Sequence, residues 1–209
     1  MLLSLDQALS FLAVAMLITV SPGPDNLLVL STGASRGRRA GMAFGLGCAT
    51  GCLNHTALAA LGVSALIAAS PMAFTALKLA GGLYLVYLGV QAIRHAGDGM
   101  DQTRTAGAEP PWALFRKGLI ANSINPKVVL FFLAFLPQFV DSGAGHTGWQ
   151  IAQLGVLFTL QAALLFGLLG YCAGRIGAWL QRRPGVGSWL DRLAGTVFIG
   201  LGLKLVLGR

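Results

Sequence analysis

The chain has 209 residues, of which 55% are hydrophobic and 11% are charged. A soluble domain carries roughly 25% charged residues, so this composition excludes an ordinary water-covered surface and indicates a membrane protein. The formal net charge of +8 would suggest a nucleic-acid partner in a soluble protein. Here the basic residues cluster between apolar segments, where they mark cytoplasmic loops and contact lipid headgroups, so we expect no nucleic acid.

Six apolar segments follow one another along the chain. Each is continuous rather than alternating with a period of two, which favours membrane helices over strands, and about 20 apolar residues suffice for one span. The sequence therefore predicts an all-α, polytopic integral membrane protein with six transmembrane helices. The predicted spans are 8–32, 41–68, 72–93, 119–140, 151–173 and 193–207.

Basic residues occupy alternate connections between these spans. The first, third and fifth connections contain Lys and Arg, whereas the second and fourth contain neither. Because Lys and Arg in short loops stay on the cytoplasmic side, we expect both termini to lie outside. The basic residues of the odd-numbered connections are Arg36, Arg38, Arg39, Arg94, Arg104, Arg116, Lys117, Arg175, Arg182, Arg183 and Arg192.

Two short proline motifs lie in the first and fourth predicted spans, at 21–26 (SPGPDN) and 123–128 (SINPKV). When Pro24 is aligned with Pro126, a Ser precedes each proline by three residues and a charged residue follows it directly. Three spans separate the motifs, so the second crosses the membrane in the opposite direction, as in the inverted repeats of transporters. We therefore expect two inverted three-helix repeats. Their predicted bounds are 1–94 and 116–209, with a polar cytoplasmic linker at 95–115.

Each proline motif is expected to break its helix. Proline has no amide donor and clashes with the preceding turn, so a new half-helix begins at or just after it. Ser21, Ser123 or Asn125 would cap such a start, and its unpaired N–H groups would suit a carboxylate. Helices 1 and 4 are thus predicted to be broken, inside protein or beside a water-filled cavity.

Asp25 and Lys127 follow the two aligned prolines and lie at similar depth, counted from the cytoplasmic charges. A charged group in the membrane is costly without a partner, so the two are expected to face each other or a polar cavity. Two interpretations remain open. In one, they flank a zwitterion site, where Asp25 takes an ammonium group or a proton and Lys127 takes a carboxylate. In the other, they form a permanent ion pair that locks the two halves together.

The second and third spans add further polar candidates. Lys78 either lines an outer vestibule or extends its ammonium group to the membrane–water interface. Asn54 and His55 either line a cavity or form hydrogen bonds between helices. Cys48, Cys52 and His55 share one helical face and could hold a soft metal ion. Glycines at four-residue spacing in the same span permit close helix packing, in which Cys serves as a small apolar residue. The same glycines are compatible with a homodimer.

Four stretches of the chain resemble the lysine exporter and homoserine/threonine efflux (LysE/RhtB) family of bacterial amino-acid exporters. They are SPGPDNLLVL at 21–30, GLGCATGCLNHTALAALGVSAL at 45–66, LKLAGGLYLVYLGVQ at 77–91 and NSINPKVVLFFLAFLPQF at 122–139. The resemblance extends over nearly the whole chain. Asp25 departs from it, because many relatives have a neutral residue there, often Asn. The positions that match the family motifs are Pro22, Gly23, Pro24, Lys78, Asn125, Pro126 and Lys127.

The resemblance implies an inner-membrane exporter of amino acids or close derivatives, driven by the proton motive force. We expect a small zwitterionic amino acid as substrate, protons as the coupling ion, lipid around the helices, no cofactor and no enzymatic activity. Two alternatives stay open, a metal-cation exporter and a transmembrane thiol oxidoreductase that uses Cys48 and Cys52. No metal site is expected. The candidate substrate-binding or coupling residues are Pro22, Gly23, Pro24, Asp25, Asn26, Asn54, His55, Lys78, Asn122, Asn125, Pro126 and Lys127.

Overall fold

The computed structural model describes residues 3–63, 65, 69–96, 109–141, 143 and 145–207, and among these there are helices but no strand. The all-α prediction is confirmed, and most of the predicted linker lies outside the described residues. The helices are α1 (Leu5–Val20), α2 (Pro24–Arg36), α3 (Arg38–Leu58), α4 (Pro71–Arg94), α5 (Pro111–Ser123), α6 (Pro126–Leu130), α7 (Thr147–Gln181) and α8 (Pro184–Leu207). Wide π-helical turns extend α3 at Ala59–Val63 and α6 at Phe131–Phe135, and a 3₁₀ turn follows at Leu136–Phe139.

Both proline motifs break their helices as predicted. The chain bends by 57° between α1 and α2 and by 52° between α5 and α6. Pro24 and Pro126 are the first residues of α2 and α6, a position that suits proline because the missing N–H needs no partner there.

One of the three predicted caps forms. Asn125 Oδ1 accepts the backbone N–H of Lys127 at 3.1 Å and so caps α6. The predicted caps from Ser21 and Ser123 are wrong, because each hydroxyl donates instead to the carbonyl oxygen four residues earlier. This bond to the preceding turn is a common alternative for Ser at a helix end.

Several helices continue beyond the predicted apolar spans. α5 begins at Pro111 rather than at 119, and α7 continues to Gln181 rather than ending at 173. At 35 residues, α7 is about 52 Å long, which exceeds the hydrocarbon thickness of a bilayer. Apolar residues define the predicted spans, but a helix also continues through Arg and Lys, which are good helix formers. The observed helices are therefore longer than the apolar segments.

Two helices, α4 and α7, are each long and apolar enough to cross a membrane. The bent pairs α1 with α2 and α5 with α6 meet the same requirement as single broken spans, which gives up to four. α3 and α8 are not among these candidate spans. α8 contains Asp191, Arg192 and Lys204, and α3 contains Asn54, His55 and several glycines, and these residues lower the mean hydropathy of both helices. The described residues therefore form a helical membrane protein with several spans.

Glycines bring α3 into close contact with α7 on one face and with α5 on another. A Cβ atom on Gly45 would lie 2.7 Å from the carbonyl oxygen of Phe166, and one on Gly51 would lie 2.9 Å from that of Leu119. Only glycine permits such an approach of two backbones. The glycine pattern that suggested a homodimer is thus used within the chain.

α4 and α8 pack against each other in the same way. A Cβ atom on Gly82 would lie 2.9 Å from the carbonyl oxygen of Gly202, and one on Gly89 would lie 2.5 Å from that of Gly195. α4 also contacts the π-helical turn at Phe131–Phe135. This turn therefore connects the α4–α8 pair to the rest of the bundle.

Aromatic rings fill the centre of the bundle, and aliphatic side chains cover its outside. The Phe158 ring lies 5.1 Å from that of Phe131 and 5.0 Å from that of Phe132, measured between centroids. On the outside, Leu160 and Leu164 of α7 are exposed one helical turn apart. An outer surface of this kind fits lipid rather than water.

The two ends of the bundle have different contacts. At one end, Gln7 near the start of α1 donates to the Phe139 carbonyl oxygen and to Gln150 Oε1. At the other, which we call the basic end, Arg36 at the end of α2 contacts Glu109 just before α5. α1 and α2 therefore run from the first end to the basic end, and α5 and α6 run back.

Candidate functional site

Lys127 is buried in the bundle, with 5% of its surface exposed. Its Nζ donates to the carbonyl oxygens of Ile18 at 3.1 Å and Ser21 at 3.0 Å, and lies 5.3 Å from the centre of the Phe198 ring. A continuous helix would bond the Ile18 carbonyl to the amide four residues later, but that residue is Pro22, which has no N–H. The end of α1 therefore offers a cation both free carbonyl groups and the negative end of a helix dipole.

Gly23 lies directly beside the Lys127 ammonium group. A Cβ atom on Gly23 would lie 2.9 Å from Lys127 Nζ, so any larger residue would displace the lysine. The backbone of Gly23 is extended, with φ −176° and ψ 177°. Glycine is therefore required by this contact and not by its dihedral angles.

Asp25 lies in the first turn of α2 and is 2% exposed. Its Oδ2 accepts a hydrogen bond from Asn122 Nδ2 at 2.7 Å, whereas its Oδ1 has no partner among the described residues. The positive end of the α2 dipole favours a carboxylate at this position. Because a buried acceptor without a donor is costly, Oδ1 is suited to take a proton or a donor from a ligand.

Asn122 connects Asp25 to α3. It is fully buried near the end of α5, its carbonyl oxygen bonds to His55 Nε2 at 3.1 Å, and its Oδ1 accepts from Cys52 Sγ at 3.6 Å. Since a carbonyl oxygen can only accept, His55 carries a proton on Nε2. These contacts hold the Asn122 amide in the orientation that donates to Asp25.

The two buried charges do not pair with each other. The salt bridges among the described residues join Glu109 to Arg36 and to Lys117, and none joins Asp25 to Lys127. The permanent ion pair considered from the sequence is therefore not formed in this structure. Each charge has neutral partners and keeps the capacity to bind a group of opposite charge.

The remaining predicted residues divide into two groups. Asn26 and Asn125 are buried, and in the described part of the chain each has one atom without a partner, Oδ1 of Asn26 and Nδ2 of Asn125. Asn54 is exposed and donates to Ser123 Oγ at 2.8 Å, and Lys78 is half-buried with no hydrogen bond or ion pair to the described residues. The structure thus does not bring Asn54 or Lys78 into the hydrogen-bond network of the buried cluster. The other predicted residues lie at the broken helices or in this network. They are Pro22, Gly23, Pro24, Asp25, Asn26, His55, Asn122, Asn125, Pro126 and Lys127. We call the buried polar ones among them the buried cluster, namely Asp25, Asn26, His55, Asn122, Asn125 and Lys127.

Three residues around the cluster were not among the predicted ones. Gln161 of α7 donates from Nε2 to Thr19 Oγ1 at 2.8 Å, and Asn26 Nδ2 donates to the Thr19 carbonyl oxygen at 2.8 Å. Phe198 of α8 covers the Lys127 ammonium group. Gln161 is a polar residue within an apolar segment, a signal that does not distinguish packing from cavity lining, and Phe198 has no signal in the sequence.

A second polar group lies at the basic end. Glu109 Oε1 accepts from Arg36 Nη1 and its Oε2 accepts from Lys117 Nζ, each at 2.6 Å. The hydrogen bonds from Lys117 and Arg36 hold the pKa of Glu109 below its usual value. These three residues join α2 to α5. A cavity of about 90 Å³ beside them is lined by Thr32, Ser35, Arg36, Phe44, Glu109, Leu114 and Lys117.

Cys48, Cys52 and His55 of α3 do not form a group of metal ligands in the described part of the chain. There, no three His, Cys, Asp or Glu side chains come close enough together to hold a metal ion. Cys52 Sγ donates to the carbonyl oxygen of Cys48 at 3.7 Å and to Asn122. His55 and Cys52 therefore both act as partners of Asn122.

Buried charges at two broken helices, in a protein with several membrane spans, are characteristic of a membrane transporter. The sequence model of the LysE type translocators matches residues 16–209, and the chain belongs to this family. It is a multi-pass protein of the cell inner membrane.

Similar proteins cover almost the whole chain. An uncharacterized membrane protein of Pseudomonas aeruginosa is 36% identical over 90% of this chain and 89% of its own length. Another, from Vibrio cholerae, is 32% identical over 96% of this chain and 97% of its own length. A leucine efflux protein of Enterobacter sp. is 29% identical over 91% and 90%, respectively. No solved structure matches the chain.

Proposed function

We propose that the chain exports a small zwitterionic amino acid from the cytoplasm in exchange for protons. The observation that carries this proposal is that Asp25 and Lys127 are buried at two broken helices without pairing with each other. Relatives named leucine efflux protein support an amino acid as the substrate. Leucine is therefore the first substrate to test.

The unused hydrogen-bonding capacity of the cluster matches a zwitterion. An ammonium group has three donors, and Lys127 Nζ uses two of them on the end of α1. Its third donor and the unpartnered Nδ2 of Asn125 would bind the substrate carboxylate. Asp25 Oδ1 would accept the opposite end of the substrate or a proton.

Competition at Asp25 would couple the two fluxes. An ionised Asp25 attracts the ammonium group of the substrate, whereas a protonated Asp25 is neutral and attracts this group less. Proton binding would therefore favour release of the substrate, and proton loss would favour its uptake. This order of events gives antiport when proton binding with substrate release is restricted to one side of the membrane and proton loss with substrate uptake to the other.

We also propose that the chain has six spans arranged as two inverted repeats, 1–94 and 116–209, with 95–115 as the linker. The opposite directions of the two bent pairs support this arrangement. So does a matching pair of contacts, in which Gln161 of α7 bonds to the end of α1 and His55 of α3 bonds to the end of α5. Each repeat would thus hold the broken helix of the other.

The basic end would face the cytoplasm, and both termini would lie outside. Arg36 and Lys117 mark this end, and Arg38 follows Arg36 by two residues and contacts Tyr171. Basic residues of short loops stay on the cytoplasmic side of the membrane. The cavity beside Glu109 would then open toward the side from which an exporter takes its substrate.

The test uses inside-out vesicles with an imposed proton gradient and a panel of labelled amino acids that includes leucine. We expect gradient-dependent accumulation of one or a few of them, which disappears when the gradient is collapsed. Lys127→Met removes the buried ammonium group and should abolish accumulation. Lys204→Met makes the same change at an exposed position of α8 and should leave accumulation unchanged.

Both variants are first shown to be present in the membrane at wild-type amount. Normal accumulation by Lys127→Met would remove this residue from the mechanism. If wild-type vesicles accumulate no amino acid under any gradient, the proposed substrate class is wrong.

A further inference from the structure

Two amide oxygens next to the end of α1 have no hydrogen-bond partner within the residues that the structure describes, and the proposed function leaves them unused. They are Asn26 Oδ1 and Gln161 Oε1. The amide nitrogens of the same side chains donate to Thr19, one to its carbonyl oxygen and one to its hydroxyl group. One residue thus anchors both side chains, which brings the two amide groups into the same neighbourhood.

The two bonds to Thr19 also determine how the amides are oriented. Because each nitrogen bonds to Thr19, the oxygen on the same amide carbon remains available to another donor. Asn26 is 8% exposed, so water does not readily satisfy its oxygen, and a buried acceptor without a donor is unfavourable. A ligand that brings N–H donors to both oxygens would relieve this cost.

Asp25 faces a different group of residues. Its carboxylate bonds to Asn122 of α5, whereas Asn26 bonds to the end of α1 beside Gln161 of α7. Successive residues of a helix point about 100° apart, which places the carboxylate and the amide on different sides of α2. The two sites can therefore have separate roles.

We propose that Asn26 Oδ1 and Gln161 Oε1 form the subsite that binds the ammonium group of the substrate, while Asp25 is left to exchange protons. This inference rests on the proposed function. The two neutral acceptors would orient the amine, and the charge on Asp25 nearby would set how strongly the amine is attracted. The site would then prefer α-amino acids with a free amino group over the corresponding hydroxy acids, because an ammonium group has donors for both oxygens and a hydroxyl group has one.

The test compares leucine with 2-hydroxyisocaproate, which has the same carbon skeleton and a hydroxyl group in place of the amine. Each compound is used unlabelled to inhibit the uptake of labelled leucine into inside-out vesicles. Gln161→Met removes the amide at nearly constant length, and Gln161→Glu keeps an acceptor oxygen. Gln153→Met makes the first change on the same helix, outside the cluster.

We expect Gln161→Met to lower the preference for leucine over the hydroxy acid about tenfold, because only the ammonium group has donors for both oxygens, and a site discriminates against an analogue that leaves one of its buried polar groups unpaired. Gln161→Glu and Gln153→Met should keep the wild-type preference. If Gln161 has only a structural role, Gln161→Met would weaken the binding of both compounds equally. The preference would then stay unchanged, and the inference would be overturned.

A metal cation is the other occupant that two amide oxygens could accept. Uptake by the wild type is therefore also measured with K⁺ in place of Na⁺. Loss of uptake without Na⁺, together with loss of this Na⁺ dependence in Gln161→Met, would assign the oxygens to the ion and overturn the inference. Failure of the wild type to transport any amino acid overturns the proposed function itself, whereas normal wild-type transport with an unaltered Gln161→Met preference overturns only the subsite.

Discussion

At the scale of single residues, the site depends on atoms that the helices leave without partners. Pro22 cannot bond to the Ile18 carbonyl, and Lys127 uses this carbonyl instead. Gly23 provides the space for the ammonium group. The break in the first helix therefore creates the binding partners of a charge that is carried by another helix, which explains why proline, glycine and lysine are needed together.

Replacing Gly23 tests this contact. In Gly23→Ala the new methyl group displaces Lys127 Nζ, and we expect the transport rate to fall on the order of tenfold, since small misplacements of a binding group have large effects on rate. Stability should change little, because the end of a lysine side chain can move. The measurement is initial uptake into inside-out vesicles.

Gly200→Ala is the matched control, because a Cβ atom on Gly200 meets no atom within 4 Å. It should transport as the wild type does. Equal rates for both alanine variants would show that the Gly23 contact is not needed for transport.

The sequence predicts part of this site and not the rest, for physical reasons. Proline motifs and charges in apolar segments are visible without a fold, so Asp25 and Lys127 could be identified. Asn54 and His55 are neighbours in sequence, but one is exposed and the other is buried. Which of the two faces the centre of the bundle depends on the rotation of α3 about its axis. Glycines lie on two faces of α3, so the sequence alone does not show which face packs inward. Gln161 could not be paired with Thr19 because their contact depends on where α7 lies.

At the scale of helices, glycine decides which elements touch. α3 contacts α7 through one set of glycines and α5 through another, so it packs between these two helices. The sequence predicts the broken helices because proline acts locally. It does not determine that α3 and α7 cross at their glycines, since the same spacing would also fit contact between two copies of the chain.

Gly118 gives the sharpest test of this packing. A Cβ atom on Gly118 would collide with the carbonyl oxygen of Phe44 and would lie 3.1 Å from the Cys48 amide nitrogen. Gly118→Val should therefore destabilise the protein by about 1–3 kcal/mol, the usual cost of overpacking a core. Thermal unfolding in detergent measures this change.

The control for that prediction is Gly174→Val on α7, where a Cβ atom meets nothing within 4 Å. It should unfold close to the wild-type temperature. A Gly118→Val protein that is as stable as this control would show that α3 and α5 do not need backbone contact.

At the scale of the whole molecule, polar contacts connect the bent pairs at both ends of the bundle. Gln7 of α1 contacts Phe139 after α6 at one end, and Glu109 connects Arg36 of α2 to Lys117 of α5 at the other. A transporter has to open one such end at a time. At the basic end, the stability that the Glu109 contacts provide depends on pH, and the lowered pKa of Glu109 gives its direction.

Glu109→Gln removes the negative charge between Arg36 and Lys117. The pKa of Glu109 is lowered in the folded protein, so its contribution to stability is complete above the usual value of 4.5 and is lost as the pH falls through the lower, folded value. At neutral pH the variant should have a Tm lower by a few degrees at most, because these groups are close to solvent. The difference should vanish in acid.

Tm measured against pH for the wild type and for Glu109→Gln tests this expectation. Arg116→Gln removes a neighbouring exposed charge of α5 and serves as the control, whose difference from the wild type should not follow the same curve. A Glu109→Gln difference that persists unchanged below pH 4 would contradict a role for the carboxylate charge.

The bent pairs run in opposite directions and have alike prolines, yet the residues after those prolines carry opposite charges, Asp25 and Lys127. A dimer of two identical first halves would bury two carboxylates at its centre, and a dimer of two second halves would bury two ammonium groups. Either would force like charges together in a poorly solvated place. In the proposed arrangement of two repeats, the joining of unlike halves in one chain therefore gives one buried charge of each sign, so neither half could be replaced by a second copy of the other.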